Sequence, residues 1–370
     1  MDMHPDFYRE VHCLLGLPFD AVNLVVAERR IRDAAANRSP CFLSTPNLNF
    51  LIAAQSDPAF RNSVINSDLS IADGMPLVWI ARFLGIPIRE RVAGSALFDT
   101  LRNESGKPLS IFFFGGPEGA AETACRRLNQ EGRGLICVGF ESPGFGSIEE
   151  MSNDAIIQRI NASNADFLVV SLGAKKGQAW IERNRSRISV PVISHLGAVV
   201  NFVAGTVKRA PVWMQNFGLE WLWRIKEDPA LWRRYFRDGL AALGLLAVHV
   251  LPYAWFLLFH KPDDSQLVAA GVETSNDNEN YVIRLRGAWT LRNIAPLRDC
   301  FANATLAEKG VSLDMSDVTY VDSAFVGLVM LLHGYQTQHR RQLRIVFIPD
   351  HARRIFRYCC AEFLCEEEGI

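Results

Sequence analysis

The feature that most constrains the fold is a repeated change of hydrophobic period between residues 41 and 205. Short apolar runs, such as residues 109–114 and 166–173, predict strands, and each is followed by a stretch with helical spacing. Strands that alternate with helices in this way favour a Rossmann-like, doubly wound α/β sheet. We therefore predict such a domain over residues 1–207, with its ligands beyond the carboxyl ends of the strands.

Several residues at the predicted strand ends suit a ligand. Thr45, Asp73, Gly115 and Gln178 all fall there, and free N–H groups of adjoining helices attract anionic or sugar-bearing ligands at such places. Gly115 and Gly116 would let the backbone approach a phosphate or a ribose, although the stretch is not a GxGxxG motif. A simple turn or helix cap is the alternative at each position.

Asp73 and Arg91 stand on two neighbouring predicted loops. Asp73 directly precedes a glycine, and Arg91 lies in the segment RERVAG at 89–94. If the loops face one cleft, they offer a general base and an anion clamp. The alternative is a turn residue and a solvated helix end.

The composition changes at residue 208. Residues 208–238 are rich in arginine and tryptophan, a combination that suits an anionic lipid headgroup or a diphosphate, although an amphipathic helix packed on its own domain is the alternative. Residues 239–260 follow as an apolar segment whose first 21 residues carry no formal charge and could span a bilayer. Pro252 interrupts the helical ladder, so we expect a re-entrant or interfacial segment kinked there; a buried soluble helix is the third option.

The rest of the chain predicts a second domain. Residues 261–280 are polar and turn-rich, as in a linker, and residues 281–370 have a β-α-β-α-β-α pattern. A formal net charge of -1 gives no case for binding nucleic acid. The eight cysteines are scattered without a CxxC pair, so we expect reduced thiols, no zinc site and a cytosolic compartment.

The first domain resembles the WecG/TagA/CpsF family of bacterial glycosyltransferases from about Thr45 to Tyr235. The resemblance rests on six ordered motifs, at residues 45–47, 72–76, 90–94, 114–117, 172–180 and 209–235. The sequence departs from the family pattern at residues 176–179 and 194–197.

The resemblance implies an inverting, metal-independent transfer of a sugar, of the N-acetylmannosamine type or another hexose. The donor would be a UDP-sugar, with no other cofactor, and the acceptor a polyprenyl-diphosphate-linked saccharide of exopolysaccharide or cell-surface polysaccharide biosynthesis. Asp73 would be the base, Thr45 and Asn47 would hold a sugar, and Arg91 and Gln178 would line the same pocket. No Asp-x-Asp metal motif precedes residue 240, which leaves neutralisation of the departing diphosphate to arginines.

The basic appendage of the family would close over the site and bind diphosphate at the cytosolic face of the inner membrane. The residues that would do so here are Arg209, Arg224, Arg233 and Arg234. The protein would then be peripheral or re-entrant on the cytoplasmic side of the membrane.

The C-terminal domain is similar to STAS domains of the anti-sigma factor antagonist type, through residues 313–318 and 321–323. By that resemblance Ser323 is a possible phosphorylation site at a helix N-terminus. Docking of an unknown protein partner is an equally good interpretation.

Two other functions compete with transfer. A membrane-tethered, non-catalytic sensor of nucleotide sugars, signalling through the STAS domain, would keep the Gly115–Gly116 loop without needing Asp73. An NAD-dependent oxidoreductase is disfavoured, because neither GxGxxG nor a suitable acidic residue follows the first strands.

Overall fold

The computed structural model of the chain describes residues 5–144, 146–277 and 280–365. An antiparallel hairpin comes first, with β1 at Val11–Leu14 and β2 at Leu17–Asp20. Every residue of both strands is buried. A two-stranded ribbon is marginal by itself in water, so other parts of the chain must cover this one.

Six parallel strands form the main sheet, in the order β4-β3-β8-β7-β5-β6. They are β3 at Cys41–Ser44, β4 at Leu69–Ser70, β5 at Leu109–Gly115, β6 at Leu135–Glu141, β7 at Phe167–Ser171 and β8 at Val192–His195. Apolar cores cover both faces of this sheet, as its near-continuous apolar strands require. The predicted doubly wound α/β fold is confirmed.

Helices connect these strands. They are α1 at Leu24–Asn37, α2 at Leu48–Ser56, α3 at Pro58–Ile65, α4 at Met75–Phe83, α5 at Gly94–Asn103, α6 at Ala120–Glu131, α7 at Asp154–Ala162, α8 at Ala174–Asn184 and α9 at Val199–Ala204. Helices α2, α4 and α5 begin directly after the loops that carry Thr45, Asp73 and Arg91. The N-termini of these helices therefore face the carboxyl edge of the sheet.

The basic appendage consists of α10 at Val212–Asn216, α11 at Glu220–Glu227 and the first part of α12 at Trp232–Leu245. Between Pro229 and Phe259 the chain is helical and is long and apolar enough to cross a membrane by length and composition. The predicted boundary at residue 239 thus falls inside α12.

The chain continues as a helix through Pro252, and the kink expected there stays a prediction. A π-helical turn at Leu246–Val250 connects α12 to α13, which spans Leu251–Phe259, so the chain stays helical throughout. Pro252 lies in the first turn of α13, where its missing N–H costs least. The π-helical turn adjusts the hydrogen-bond ladder immediately before it.

The second domain has a four-stranded sheet in the order β12-β11-β10-β9. Its elements are α14 at Asp264–Val268, β9 at Gly271–Asn276, β10 at Asn280–Trp289, α15 at Ala295–Leu306, β11 at Gly310–Val321, α16 at Ser323–Gln338, β12 at Leu343–Val346 and α17 at Asp350–Tyr358. Helix α14 and strand β9 occupy most of the stretch predicted as a linker. Strand β9 pairs antiparallel with β10, which is why polar residues there are ordered.

The expectation that all the thiols are reduced is also wrong. Cys125 on α6 and Cys137 on β6 form a disulfide. Their separation of 12 residues is too wide for a CxxC pattern, and only the packing of α6 on its neighbouring strand brings them together. The cysteines at 13, 41, 300, 359 and 360 are free thiols.

Candidate active site

Three loops meet at the carboxyl edge of the main sheet. The backbone N–H of Asp73 donates to the carbonyl of Pro46 at 2.9 Å, and the N–H of Val92 donates to the carbonyl of Ala72 at 3.0 Å. A Cβ atom at Gly94 would lie 3.0 Å from a methyl group of Thr45. Glycine at this position therefore lets the third loop close on the first.

The carboxylate of Asp73 has two partners. Its Oδ1 accepts from Nη2 of Arg91 at 3.1 Å and from Nε at 3.3 Å, while Oδ2 accepts from the backbone N–H of Gly94 at 3.3 Å. The Asp73 side chain remains 22% exposed. The predicted proximity of Asp73 and Arg91 is thus present, as a direct ion pair at the cleft wall.

The pKa of Asp73 is raised above its ordinary value. Desolvation is the largest cause, and the carboxylate of Glu220 acts in the same direction, while Arg91 and the N–H of Gly94 offset part of the effect. A carboxylate with a raised pKa is a stronger base. Asp73 therefore has the electrostatic setting of a general base while staying within reach of solvent.

Glu220 is a site residue that sequence reasoning missed. It begins α11 and its Oε2 accepts from Nη2 of Arg91 at 2.8 Å, so Arg91 joins the appendage to the Asp73 loop. Desolvation opposes ionisation of Glu220, but Arg91 and then Arg224 outweigh it and lower its pKa. The only sign of Glu220 in the sequence was that it is an acidic residue within a basic segment.

Two cavities adjoin at Asp73, which lines both of them. The first, of about 340 Å³, extends between the start of α4 and the appendage. The second, of about 510 Å³, extends past Thr45 to the ends of β7 and β8 and to α9. Both are also lined by Asn47, Arg224 and Arg234. The sheet edge and the appendage together thus enclose a two-part cleft.

Five of the predicted substrate residues line these cavities together with the predicted base. Thr45 lines the larger cavity and Arg91 the smaller one, on either side of Asp73. Asn47 also caps α2 by accepting from the N–H of Phe50 at 3.3 Å. Arg224 and Arg234 reach the cleft from the appendage, with side chains that are roughly half exposed.

The other predicted residues do not line these two cavities. Gln178 is buried and donates to Oγ of Ser44 at 3.0 Å, one residue before Thr45. Gly115 and Gly116 have positive φ angles, and the backbone N–H of Gly116 donates to the carbonyl of Ser171 at 2.8 Å. Their predicted roles in substrate binding stay predictions.

Two arginines of the appendage also have other partners. Arg209 is ion-paired with Asp99 on α5, which fastens the start of the appendage to the first domain. Arg233 is exposed, and its guanidinium lies 5.8 Å from the ring centroid of Trp232. Both lie outside the lining of the two cavities.

Ser323, the predicted phosphorylation site, lies at the first position of α16 and is 6% exposed. Its Oγ is 3.1 Å from Nδ1 of His12, on the N-terminal hairpin. Asp322 caps the helix by accepting from the N–H groups of Ala324 and Phe325. In this arrangement Ser323 is an interdomain contact rather than a surface hydroxyl.

The carboxylate of Asp73 thus lies between two cavities at the carboxyl edge of a parallel sheet, the edge at which doubly wound α/β proteins bind their ligands. The chain belongs to the glycosyl transferase WecG/TagA/CpsF family, whose model matches residues 12–254. A second model, for the Mlab, STAS domain, matches residues 272–361. The resemblances on which the sequence analysis relied are confirmed, and the protein is a glycosyltransferase fused to a STAS domain.

Curated relatives agree with this placement. A protein of Bacillus spizizenii is 27% identical over 52% of this chain and 74% of its own length. Proteins of Bacillus subtilis, 25% identical over 55% of this chain and 78% of their own length, and of Staphylococcus aureus, 24% identical over 60% and 86%, are similar too. All three are named N-acetylglucosaminyldiphosphoundecaprenol N-acetyl-beta-D-mannosaminyltransferase.

Proposed function

We propose that the protein transfers a sugar, of the N-acetylmannosamine type or another hexose, from a UDP-sugar to a polyprenyl-diphosphate-linked saccharide. The relatives are named for an acceptor and a transferred sugar of this kind. The observation that carries the proposal is that Asp73 lines two cavities at once. A transferase that binds two substrates together needs a base at their junction.

The larger cavity is the better place for the UDP-sugar. It lies at the ends of β7 and β8, the edge at which doubly wound sheets bind nucleotides. Lys208 and Arg224 in its lining supply positive charge for a diphosphate. No metal enters this proposal, since those cations can neutralise the departing UDP.

The smaller cavity suits the lipid-linked acceptor. Its lining includes Arg234, Tyr235 and Gly239 of α12, the helix that continues into the apolar segment. A polyprenyl chain could therefore follow the exposed apolar face of this helix while its diphosphate meets Arg234. The acceptor sugar would then point towards Asp73.

Asp73 takes the proton from the acceptor hydroxyl as that oxygen attacks the anomeric carbon of the donor. The bond from this carbon to the UDP oxygen breaks on the opposite side, so the configuration inverts and UDP leaves as an anion. Arg91 holds Asp73 in place but does not remove its basicity, because Glu220 shares the same guanidinium. A positioned base of this kind contributes roughly 10²- to 10⁴-fold to the rate.

Purified membranes with a polyprenyl-diphosphate saccharide and a panel of UDP-sugars test the proposal. We expect one donor to support transfer, and Asp73→Asn, which keeps the size and most hydrogen bonds of the side chain, to slow it by roughly 10²- to 10⁴-fold. Undiminished transfer by the variant would remove Asp73 from the mechanism. Transfer from no donor would favour the nucleotide-sugar sensor.

We further propose that the helix between Pro229 and Phe259 lies in the cytoplasmic membrane surface and does not cross it. Its inner face contacts the protein along its length, from Asp238, which accepts from Asn49 at 3.1 Å, to Tyr253, whose ring is 5.8 Å from that of Tyr358. Its outer face presents exposed apolar side chains, which are Phe236, Leu240, Leu243, Val248, Leu251, Trp255, Leu258 and Phe259.

This burial pattern is that of an interfacial helix, which keeps one face on protein and one in lipid. A single crossing of about 30 Å would separate two domains that share one apolar core. Reporters that work on only one side of the membrane, fused after Ile370, test the topology. We expect a cytoplasmic signal, and an extracytoplasmic signal would refute an in-plane helix.

A further inference from the structure

The helix α16 has no solvent face. Thirteen of its residues are buried, and they occur on all sides of the helix. A helix that is apolar all round must be covered on every side. The sheet of its own domain covers one side, so the remaining side needs another partner.

The N-terminal hairpin is that partner in this structure. The backbones approach so closely that a Cβ atom at Gly327 would lie 3.0 Å from the backbone N of Cys13. A second close approach follows two turns later, where a Cβ at Gly334 would lie 2.8 Å from the side chain of Ile65 on α3. One apolar core runs from the hairpin through both sides of α16.

Polar contacts fix the register of this interface. The N–H of Gly16, in the hairpin turn, donates to the carbonyl of Cys359 at 2.6 Å. The guanidinium of Arg298 donates to the carbonyl of Tyr8 at 2.8 Å. Contacts with the hairpin and the segment before it thus come from α15, α16 and the end of α17.

The hairpin is in turn fastened to the strand that leads to the base. The buried carboxylate of Asp20, at the end of β2, accepts from the N–H of Ser70 on β4 at 2.7 Å and forms an ion pair with Arg9 at 3.0 Å. Ser70 is three residues before Asp73. A continuous path of packed backbone therefore connects α16 with the Asp73 loop.

We propose that the docking face of the STAS domain is occupied by the N-terminal hairpin of its own glycosyltransferase domain, and that this contact positions the Asp73 loop. The STAS domain is then an internal part of the enzyme, and the face around Ser323 is closed to a separate protein. The positioning role rests on the proposed function, whereas the docking itself does not.

Thiol labelling of the full chain tests the docking without any substrate. Cys13 and Cys359 lie at the interface, whereas Cys41 and Cys300 lie in the cores of the separate domains, and all four are buried. In the wild-type chain we expect all four to be protected from a thiol reagent. Peptide mapping by mass spectrometry reads each of them separately.

Leucine at Gly327 should open the interface, because its side chain has no room there. We expect Cys13 and Cys359 to label roughly tenfold to a hundredfold faster than in wild type, while Cys41 and Cys300 stay protected. Gly334→Leu should act in the same direction through its own contact. Gly244→Leu, where an added Cβ meets nothing within 4 Å, is the matched control and should label as wild type does.

Rapid labelling of Cys13 in wild type, or continued protection in both interface variants, would overturn the docking. Labelling of Cys41 and Cys300 in a leucine variant would mean that the whole chain unfolds. In that case Ser323→Glu, which places a charge beside His12, replaces the leucine variants in the same comparison.

Transfer assays on the variants with an opened interface test whether the contact positions the Asp73 loop. We expect kcat to fall with the KM for the donor little changed, and a wild-type kcat in an opened chain would overturn it.

Discussion

The cleft at Asp73 and the interface at Ser323 use buried polar groups in opposite ways. In the cleft, Asp73, Arg91 and Glu220 are charged and keep 22%, 16% and 13% of their side chains exposed. At the interface, His12 and Ser323 are 2% and 6% exposed and contact each other beside a continuous apolar core. The cleft keeps charge accessible because it must take up ligands, whereas the interface removes water and holds one geometry.

This contrast predicts that the two regions fail differently when mutated. The ion pairs of the cleft contribute little net folding energy, because the cost of desolvating charges that are only 13–22% exposed offsets most of their attraction. Apolar interface residues contribute several kcal/mol each, because truncation leaves a cavity. Changes in the cleft should therefore alter rates, and changes at the interface should alter stability.

The largest effect on stability is expected from Phe7→Ala. Phe7 is fully buried, and its ring lies 6.0 Å from that of Phe301 in the STAS domain, in an edge-to-face arrangement. We expect the free energy of unfolding, measured in urea, to fall by about 3–5 kcal/mol.

The neighbouring residue supplies the control. Tyr8 also reaches the STAS domain, where its hydroxyl donates to Asp299 at 2.5 Å, but it is exposed. Tyr8→Phe should lower the free energy of unfolding far less, because water can replace the partner of an exposed hydrogen bond. Equal losses in the free energy of unfolding for Phe7→Ala and Tyr8→Phe would contradict the distinction between the buried part of the interface and its solvent-exposed edge.

A smaller effect, on the pH dependence of transfer, is expected from Glu220→Gln. Asp73 must be ionised to act as a base, so activity is lost as the pH falls through its raised pKa. Glu220 contributes to that raised pKa by repulsion. Without the Glu220 carboxylate, Arg91 pairs with Asp73 only, which also lowers the pKa of Asp73. The acidic limb of the rate profile should therefore move to lower pH.

The maximum rate of this variant should fall only several-fold, because Asp73 becomes a weaker base without losing its place. Glu227→Gln, on the same helix and in the lining of the larger cavity, is the matched control. An acidic limb that does not move, or one that moves equally in the control, would show that Glu220 does not set the basicity of Asp73.

Much of the fold could be predicted from the sequence. Apolar runs with period changes located strands of the main sheet, and the carboxyl-end rule placed Thr45 and Asp73 at one edge of it. These signals are local, since each depends on a few consecutive residues. The basic appendage was also recognisable from its composition.

Most of the missed features depend on how separate elements pack on one another. Glu220 reaches Arg91 across 129 residues, and His12 reaches Ser323 across 311. The disulfide between Cys125 and Cys137 depends on how a helix packs on its strand. The π-helical turn that precedes Pro252 was not predicted either. Spacing along the sequence carries no information on such pairings.

By itself, the sequence determined a parallel α/β sheet, a candidate base and a neighbouring arginine at its edge, a basic appendage with an apolar helix, and a small second domain. Only the tertiary structure decided that Glu220 joins the appendage to Arg91 and that the second domain closes on the N-terminal hairpin. The physical reason is that hydrophobic period specifies which face of an element must be buried, but not which element will bury it. The N-terminal hairpin and the helix α16 must both be buried, and in the tertiary structure they pack against each other.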